Sequence, residues 1–113
     1  MEIKRQFVYW VNLDPSIEKE IQKERPCLVI SPSIFNNQSG LVTIVPLTDI
    51  YRGRVRKTEI PVYEEDDCVE KPSKVKPEQI RTISAVRFGR EMGKFPDDKF
   101  AQVLAIIRDN LNL

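Results

Sequence analysis

Arg25 opens the apolar run Pro26-Cys27-Leu28-Val29-Ile30, directly behind a charged segment. A guanidinium stays protonated in proteins and presents a rigid fork that matches phosphate oxygens. A surface arginine paired with Glu24 would read the same way. Thr48 closes Val45-Pro46-Leu47-Thr48 at the end of a second apolar run. Its hydroxyl suits either a turn cap or, with nearby backbone N–H groups, a phosphoryl oxygen. Arg52-Gly53-Arg54-Val55-Arg56-Lys57 puts four cations in six residues, and on a strand Arg54 and Arg56 would share one face. Lys74, Lys76 and Arg81 would extend that surface toward phosphates, unless the acids of Glu64 to Asp67 neutralise it as a merely solvated face. Gln79, Arg81 and Thr82 form a donor-rich group suited to bases or phosphates, although a polar strand face explains them equally well.

The missing chemistry narrows the field further. The chain has 113 residues and no histidine, which removes imidazole nucleophile systems, histidine acid/base pairs and imidazole metal sites. Its acids are scattered or lie in one run without a spaced ligand set, so no metal is expected. Four glycines form no phosphate-binding loop, and no cofactor is expected. A net charge of +1 exerts no global pull on nucleic acid or membrane, so any anion binding must come from local clustering. Cys27 and Cys68 fit free thiols in a reducing compartment. No stretch of about 18 apolar residues is present, and Met1-Glu2-Ile3-Lys4-Arg5 leads into no signal-type core. A cytoplasmic protein with no membrane contact is the expectation.

The elements that must position these groups are mostly short strands. Phe7 to Leu13 reads as a strand ended by Asp14-Pro15, and Ser16 to Glu24 as a mobile loop. Pro26 to Ile30 is a buried strand, Ser33 to Asn37 one helical turn after Pro32, and Leu41 to Val45 a strand stopped by Pro46. Thr48 to Arg54 reads as an irregular connection. Val55 to Tyr63 is a strand that Pro61 confines to an edge, Glu64 to Asp67 is solvated, and Ser73 to Ile83 is a broken strand. Ser84 to Phe88 suggests a short helix and Gly89 to Phe95 a small strand. Phe100, Val103, Leu104, Ile107 and Leu111 recur with helical spacing behind Asp97, a predicted N-cap. The sum is a single mainly β (α+β) domain over residues 1–113, a small bent barrel with a C-terminal amphipathic helix.

The order of these blocks carries a resemblance. Tyr9-Trp10-Val11-Asn12-Leu13-Asp14-Pro15, Glu24-Arg25-Pro26-Cys27-Leu28-Val29-Ile30-Ser31, Phe35-Asn36, Val45-Pro46-Leu47-Thr48 and Gln79-Ile80-Arg81-Thr82-Ile83 resemble, in register, the MazF/PemK family of toxin endoribonucleases. The resemblance implies an SH3-like barrel that forms a homodimer and cuts single-stranded RNA at short sequences without a metal. The 2′-OH would attack the adjacent phosphate, leaving a 2′,3′-cyclic phosphate and a 5′-OH. By position, Arg25 becomes the acid/base and phosphate-stabilising residue and Thr48 its partner. Gln79 becomes an RNA contact, with Ser73, Asn36 and Arg81 beside it and the basic Arg54 and Arg56 as further RNA-binding candidates. Ser16 to Glu24 becomes a flap over the groove. The implied partner is a MazE-like antitoxin whose tail occupies that groove, with operator DNA bound only through the toxin–antitoxin complex.

Two departures stand out. The family's Arg-Gly-Asp before the first strand is here Arg5-Gln6-Phe7, and the approach to Gln79 is the basic, broken Lys74-Val75-Lys76-Pro77. The competing readings are a non-catalytic toxin of the same fold, similar to the gyrase poison CcdB, and a protein-interaction barrel. Arg25 and Thr48 favour the nuclease, because neither alternative needs a phosphate pocket.

Overall fold

A computed structural model of the chain describes residues 1–13, 24–51 and 53–113. Of the expected flap, Ser16 to Lys23 lie outside the described residues, as does Arg52 of the basic segment. The elements are β1 (Phe7–Asn12), β2 (Glu24–Val29), α1 (Ser33–Ser39), β3 (Leu41–Asp49), β4 (Ile60–Val62), β5 (Ser73–Val75), β6 (Arg81–Ser84), β7 (Phe88–Lys94) and α2 (Asp97–Leu111). The strands pair antiparallel in the order β4-β5-β3-β2-β1-β7, with β6 also on β3. Among the described residues the end strands β4 and β7 do not pair with each other, so the small bent barrel stays open between them. Pro61 blunts one end, in β4, and register shifts opposite β1 distort the other, in β7.

Side-chain alternation along β1, β2 and β3 divides the core into two clusters. Val8, Leu28, Val45 and Leu47 join Phe95, Phe100, Val103 and Ile107 under α2. Tyr9, Val11, Cys27, Val29, Val42 and Ile44 pack with Ile3 and Ile83 in the other. The predicted helical stripe holds through Ile107, but Leu111 at the last turn is exposed. The N-cap position of α2 falls to Pro96 instead of Asp97. Asp97 instead accepts a 2.6 Å hydrogen bond from Gln6 Nε2, which also donates to the Phe95 carbonyl at 2.8 Å. Gln6 adopts φ 72°, a conformation that favours glycine, so these bonds hold the turn that the missing glycine would otherwise make without strain.

Pro46 does not stop β3, which continues to Asp49. Residues 41–44 of β3 pair with β6 and residues 47–49 with β5. The missing proline N–H falls between these two ladders, and the Pro46 carbonyl is used by Lys76 N at 3.0 Å. α1 is longer than the single expected turn, ending at Gly40 with φ 74°, where the left-handed cap requires little side-chain tolerance. The broken strand before Ile83 resolves into β5, the 3-10 turn Pro77–Gln79 and β6. Of the expected strand Val55 to Tyr63, β4 retains only Ile60–Val62.

The reason is Glu59, whose side chain is 1 % exposed. Its Oε1 lies 3.1 Å from Lys74 Nζ, itself nearly buried, and accepts a 2.9 Å hydrogen bond from Arg56 N. Lys76 Nζ stands 3.8 Å from Oε2, and Lys74 Nζ also donates to the Arg54 carbonyl at 2.9 Å. Residues 54–59 thus wrap a carboxylate instead of extending a strand. Arg54 and Arg56 do not alternate on a strand face, and Lys74 is withdrawn from the surface it was expected to extend.

Burial alone would raise the Glu59 pKa, but the Arg56 amide, Lys74 and Lys76 outweigh it and hold the carboxyl below its ordinary value. Its contribution is therefore complete above the unfolded value of about 4.3 and is lost as pH falls through the lower folded value. Glu59→Ala leaves Lys74 buried without its counter-ion and should cost about 3 kcal/mol at pH 7. Urea titrations should show that deficit narrowing in acid; a deficit at pH 7 under about 1 kcal/mol would contradict this account.

Candidate functional site

The β2–β3 register pairs Val29 with Ile44, Leu28 with Val45 and Cys27 with Pro46. Carried two residues further, beyond the last bonded pair, the same register sets Arg25 opposite Thr48. Both are half-buried, and both line the same two cavities. One, of about 510 Å³, is bordered by Trp10, Glu24, Asp49, Glu70, Lys71 and Ser73. The other, of about 340 Å³, is bordered by Leu13, Pro46, Lys76, Gln79 and Arg81.

The two cavities differ in charge. Lining the smaller are the cations Arg25, Lys76 and Arg81, with no acid among the described residues. Lining the larger are Arg25 and Lys71 against Glu24, Asp49 and Glu70. Lys71 Nζ already pairs with Asp49 at 3.3 Å. Lys76 lies between Glu59 and Glu78, at 3.8 and 3.7 Å. Among the described residues, Arg25 and Arg81 have no carboxylate within ion-pair distance. An anion in the smaller cavity therefore meets guanidiniums that no described acid neutralises. Among the described residues no group of three or more Cys, Asp or Glu side chains has metal-binding geometry.

Of the residues singled out in sequence, Arg25, Thr48, Gln79 and Arg81 share one face. Ser73 borders the larger cavity, but it is 3 % exposed and its hydroxyl donates to the Lys71 carbonyl at 2.8 Å. The structure takes Asn36 elsewhere. It is buried in α1, hydrogen-bonded to Ser31 Oγ and donating to the carbonyls of Ile3 and Ser31, where it ties the N-terminal segment to α1. Arg54 and Arg56 are exposed but line neither cavity. Sequence reasoning missed Trp10 as a site residue. Its signal was β1–β2 pairing, which aligns Trp10 with Pro26, next to Arg25.

Cys27 lies beneath this face. Burial pushes its thiol up to about 12, although the nearby positive charges of Arg81 and Arg25 pull the other way. Both arginines thus act on one sulfur, while the thiol stays protonated and inert at neutral pH. Alkylation with iodoacetamide at pH 7.5 should leave Cys27 unmodified in the native protein and modify it in urea. Rapid labelling of the native thiol, mapped by peptide mass spectrometry, would contradict its burial.

The comparisons with known proteins cover nearly the whole molecule. The endoribonuclease EndoA of Bacillus subtilis is 29% identical over 117 residues, covering 100% of this chain and 97% of that protein. The endoribonuclease MazF9 of Mycobacterium tuberculosis is 28% identical over 120 residues, with 98% of each chain covered. Among solved structures, a MazE–MazF complex of Deinococcus radiodurans superposes with a TM-score of 0.86 at 23% identity, over 100% of this chain and 98% of the other. MazF of the same organism gives 0.82 at 22% identity, over 100% and 99%. The sequence pattern of the PemK-like, MazF-like toxins of type II toxin–antitoxin systems matches residues 4–111, and to that family the chain belongs.

Proposed function

We propose that this protein is the toxin of a toxin–antitoxin pair and cleaves single-stranded RNA at short sequences. The observation that carries the reading is the meeting of Arg25 and Thr48 at two adjoining cavities, in one of which Arg25, Lys76 and Arg81 are the charged residues among the described lining. Two curated relatives of full length bear the name endoribonuclease. A gyrase poison or an interaction barrel has no use for such a pocket.

In the proposed reaction a ribose 2′-OH attacks the adjacent phosphorus. The new P–O2′ bond forms as the P–O5′ bond breaks, giving a 2′,3′-cyclic phosphate and a 5′-OH. The proton lost from O2′ passes to solvent, and the departing O5′ gains one. Arg25 N–H groups and the Thr48 hydroxyl donate to the non-bridging oxygens, whose charge grows in the transition state. Because a guanidinium does not give up its proton, Arg25 acts mainly as a fixed positive donor. Neither a metal nor a cofactor takes part. Arg81, Gln79 and Lys76 hold the neighbouring backbone, and Ser73 supports the larger cavity's wall. Arg54 and Arg56 add a diffuse attraction for longer RNA.

The partner is a MazE-like antitoxin whose tail covers the same groove and which carries the complex to operator DNA. The protein works in the cytoplasm, away from membrane, as a homodimer. Leu41 and Val86 are exposed apolar side chains on either side of the Ala85 N–Gly40 carbonyl bond that joins the start of β3 to the end of β6, and α1 exposes Ile34 and Phe35 just before it. A second copy covering them accounts for their exposure.

Purified protein should cleave single-stranded RNA in EDTA, and end analysis should find cyclic phosphates. Arg25→Ala should slow cleavage by about two to three orders of magnitude and Thr48→Val by about one or more, both without loss of fold. Full activity in Arg25→Ala would refute its assignment. Val86→Glu should convert dimers to monomers in light scattering; an unchanged mass would move the interface elsewhere.

A further inference from the structure

The surface around Arg25 does not end at the larger cavity. Trp10 and Glu24, which border that cavity, also border a third of about 390 Å³ with Gly89 and Arg90. The guanidinium of Arg90 lies 5.8 Å from the centre of the Trp10 ring. Glu70 holds it there, with an oxygen 2.5 Å from Arg90 Nη2. Gly89 packs closely on β1: a Cβ there would stand 3.1 Å from the Trp10 carbonyl oxygen, so a larger residue would press Trp10 aside by a few tenths of an ångström.

Trp10 also carries the one buried side-chain nitrogen or oxygen without a hydrogen-bond partner among the described residues, its Nε1. An orphaned buried donor costs stability that phenylalanine or leucine at the same place would not. The indole thus has no structural justification in hydrogen bonding, and what remains is its wide, partly exposed ring. Aromatic rings and arginine planes are the usual platforms for unstacked bases.

We propose that Trp10, Arg90 and Glu24 form a subsite for one base flanking the scissile phosphate, an inference that rests on the RNA-cleaving function proposed above. The base stacks on the Trp10–Arg90 pair. Glu24, an acceptor without a donor of its own, takes the hydrogen bond of an exocyclic amine. The acids here disfavour a phosphate, and the stacking pair accepts any base, so the selection comes from Glu24. Adenine, cytosine and guanine carry that amine and uracil does not.

The test is end sequencing of a randomised single-stranded RNA pool after digestion by wild type, Arg90→Gln, Trp10→Leu and Glu24→Ala. Arg90 and Glu24 are exposed, so their variants keep the fold even if Trp10→Leu does not. Wild type should disfavour uracil at one flanking position. Glu24→Ala should abolish that discrimination, and Arg90→Gln should keep it but raise KM about tenfold with little change in kcat. Unaltered base preference and KM in both variants overturn the subsite. Should the wild type cleave nothing, the catalytic reading fails by itself, and the subsite is judged by binding. Trp10 is the single tryptophan of the chain. Its fluorescence should be quenched by 2′-O-methyl hexanucleotides rich in adenine, about tenfold more weakly in Arg90→Gln. No quenching, or quenching identical in the variant, overturns it as well.

Discussion

The pairing of β2 with β3 is the constraint on which the remainder depends. A strand register is specified strongly where one-residue slippage would turn buried side chains outward. Here Leu28 and Val45 belong to one hydrophobic cluster and Cys27, Val29 and Ile44 to the other, so both faces of the pair are committed. Slippage by one residue would send each buried set into the other cluster, where its side chains do not fit. The apolar segments therefore fix which side chains face one another beyond the last bonded pair, and Arg25 and Thr48 are the result. Pro46 adds to this by sitting where β3 exchanges β6 for β5, so that Thr48 lies in an extended strand instead of a flexible turn.

Charge on this surface is set by what is withdrawn from it as much as by what is displayed. The chain is nearly neutral, yet its cations divide into paired and unpaired groups. Lys74 is buried against Glu59, and Lys99, Lys71 and Arg90 are each held by a carboxylate. Among the described residues Arg25 and Arg81 remain as donors without an ion-pair partner, beside a cavity with no described acid. An arginine that is not already satisfied by an internal carboxylate can place its full fork on a ligand. The basic approach to Gln79, a departure from the family pattern, is thus mostly consumed inside the fold.

The strands of the sheet centre and the helix α2 were legible because their periodicity reflects burial directly. Pro61 at an edge was legible for the same reason, since its missing N–H excludes an interior position. Pro46 misled, because an interior proline is tolerated at a junction between two ladders, which no local pattern reveals. Arg54 and Arg56 misled because a buried carboxylate at Glu59, paired with a lysine 15 positions away, overrode the strand alternation. Asn36 matched a family block, but its amide ties α1 to Ile3 and Ser31. Arg25, Thr48, Gln79 and Arg81 line one cavity. Residue chemistry alone had left each of them open between a binding role and a surface one.

The claim that Arg25 and Thr48 act together on one phosphate is tested most directly by a double-mutant cycle on single-turnover RNA cleavage. Arg25→Lys, Thr48→Val and the combined variant would be compared with wild type under identical salt. The account expects strong coupling, with the double variant little slower than the worse single one, because both donors address the same developing charge. Rate losses that simply multiply would mean that the two side chains work at separate places.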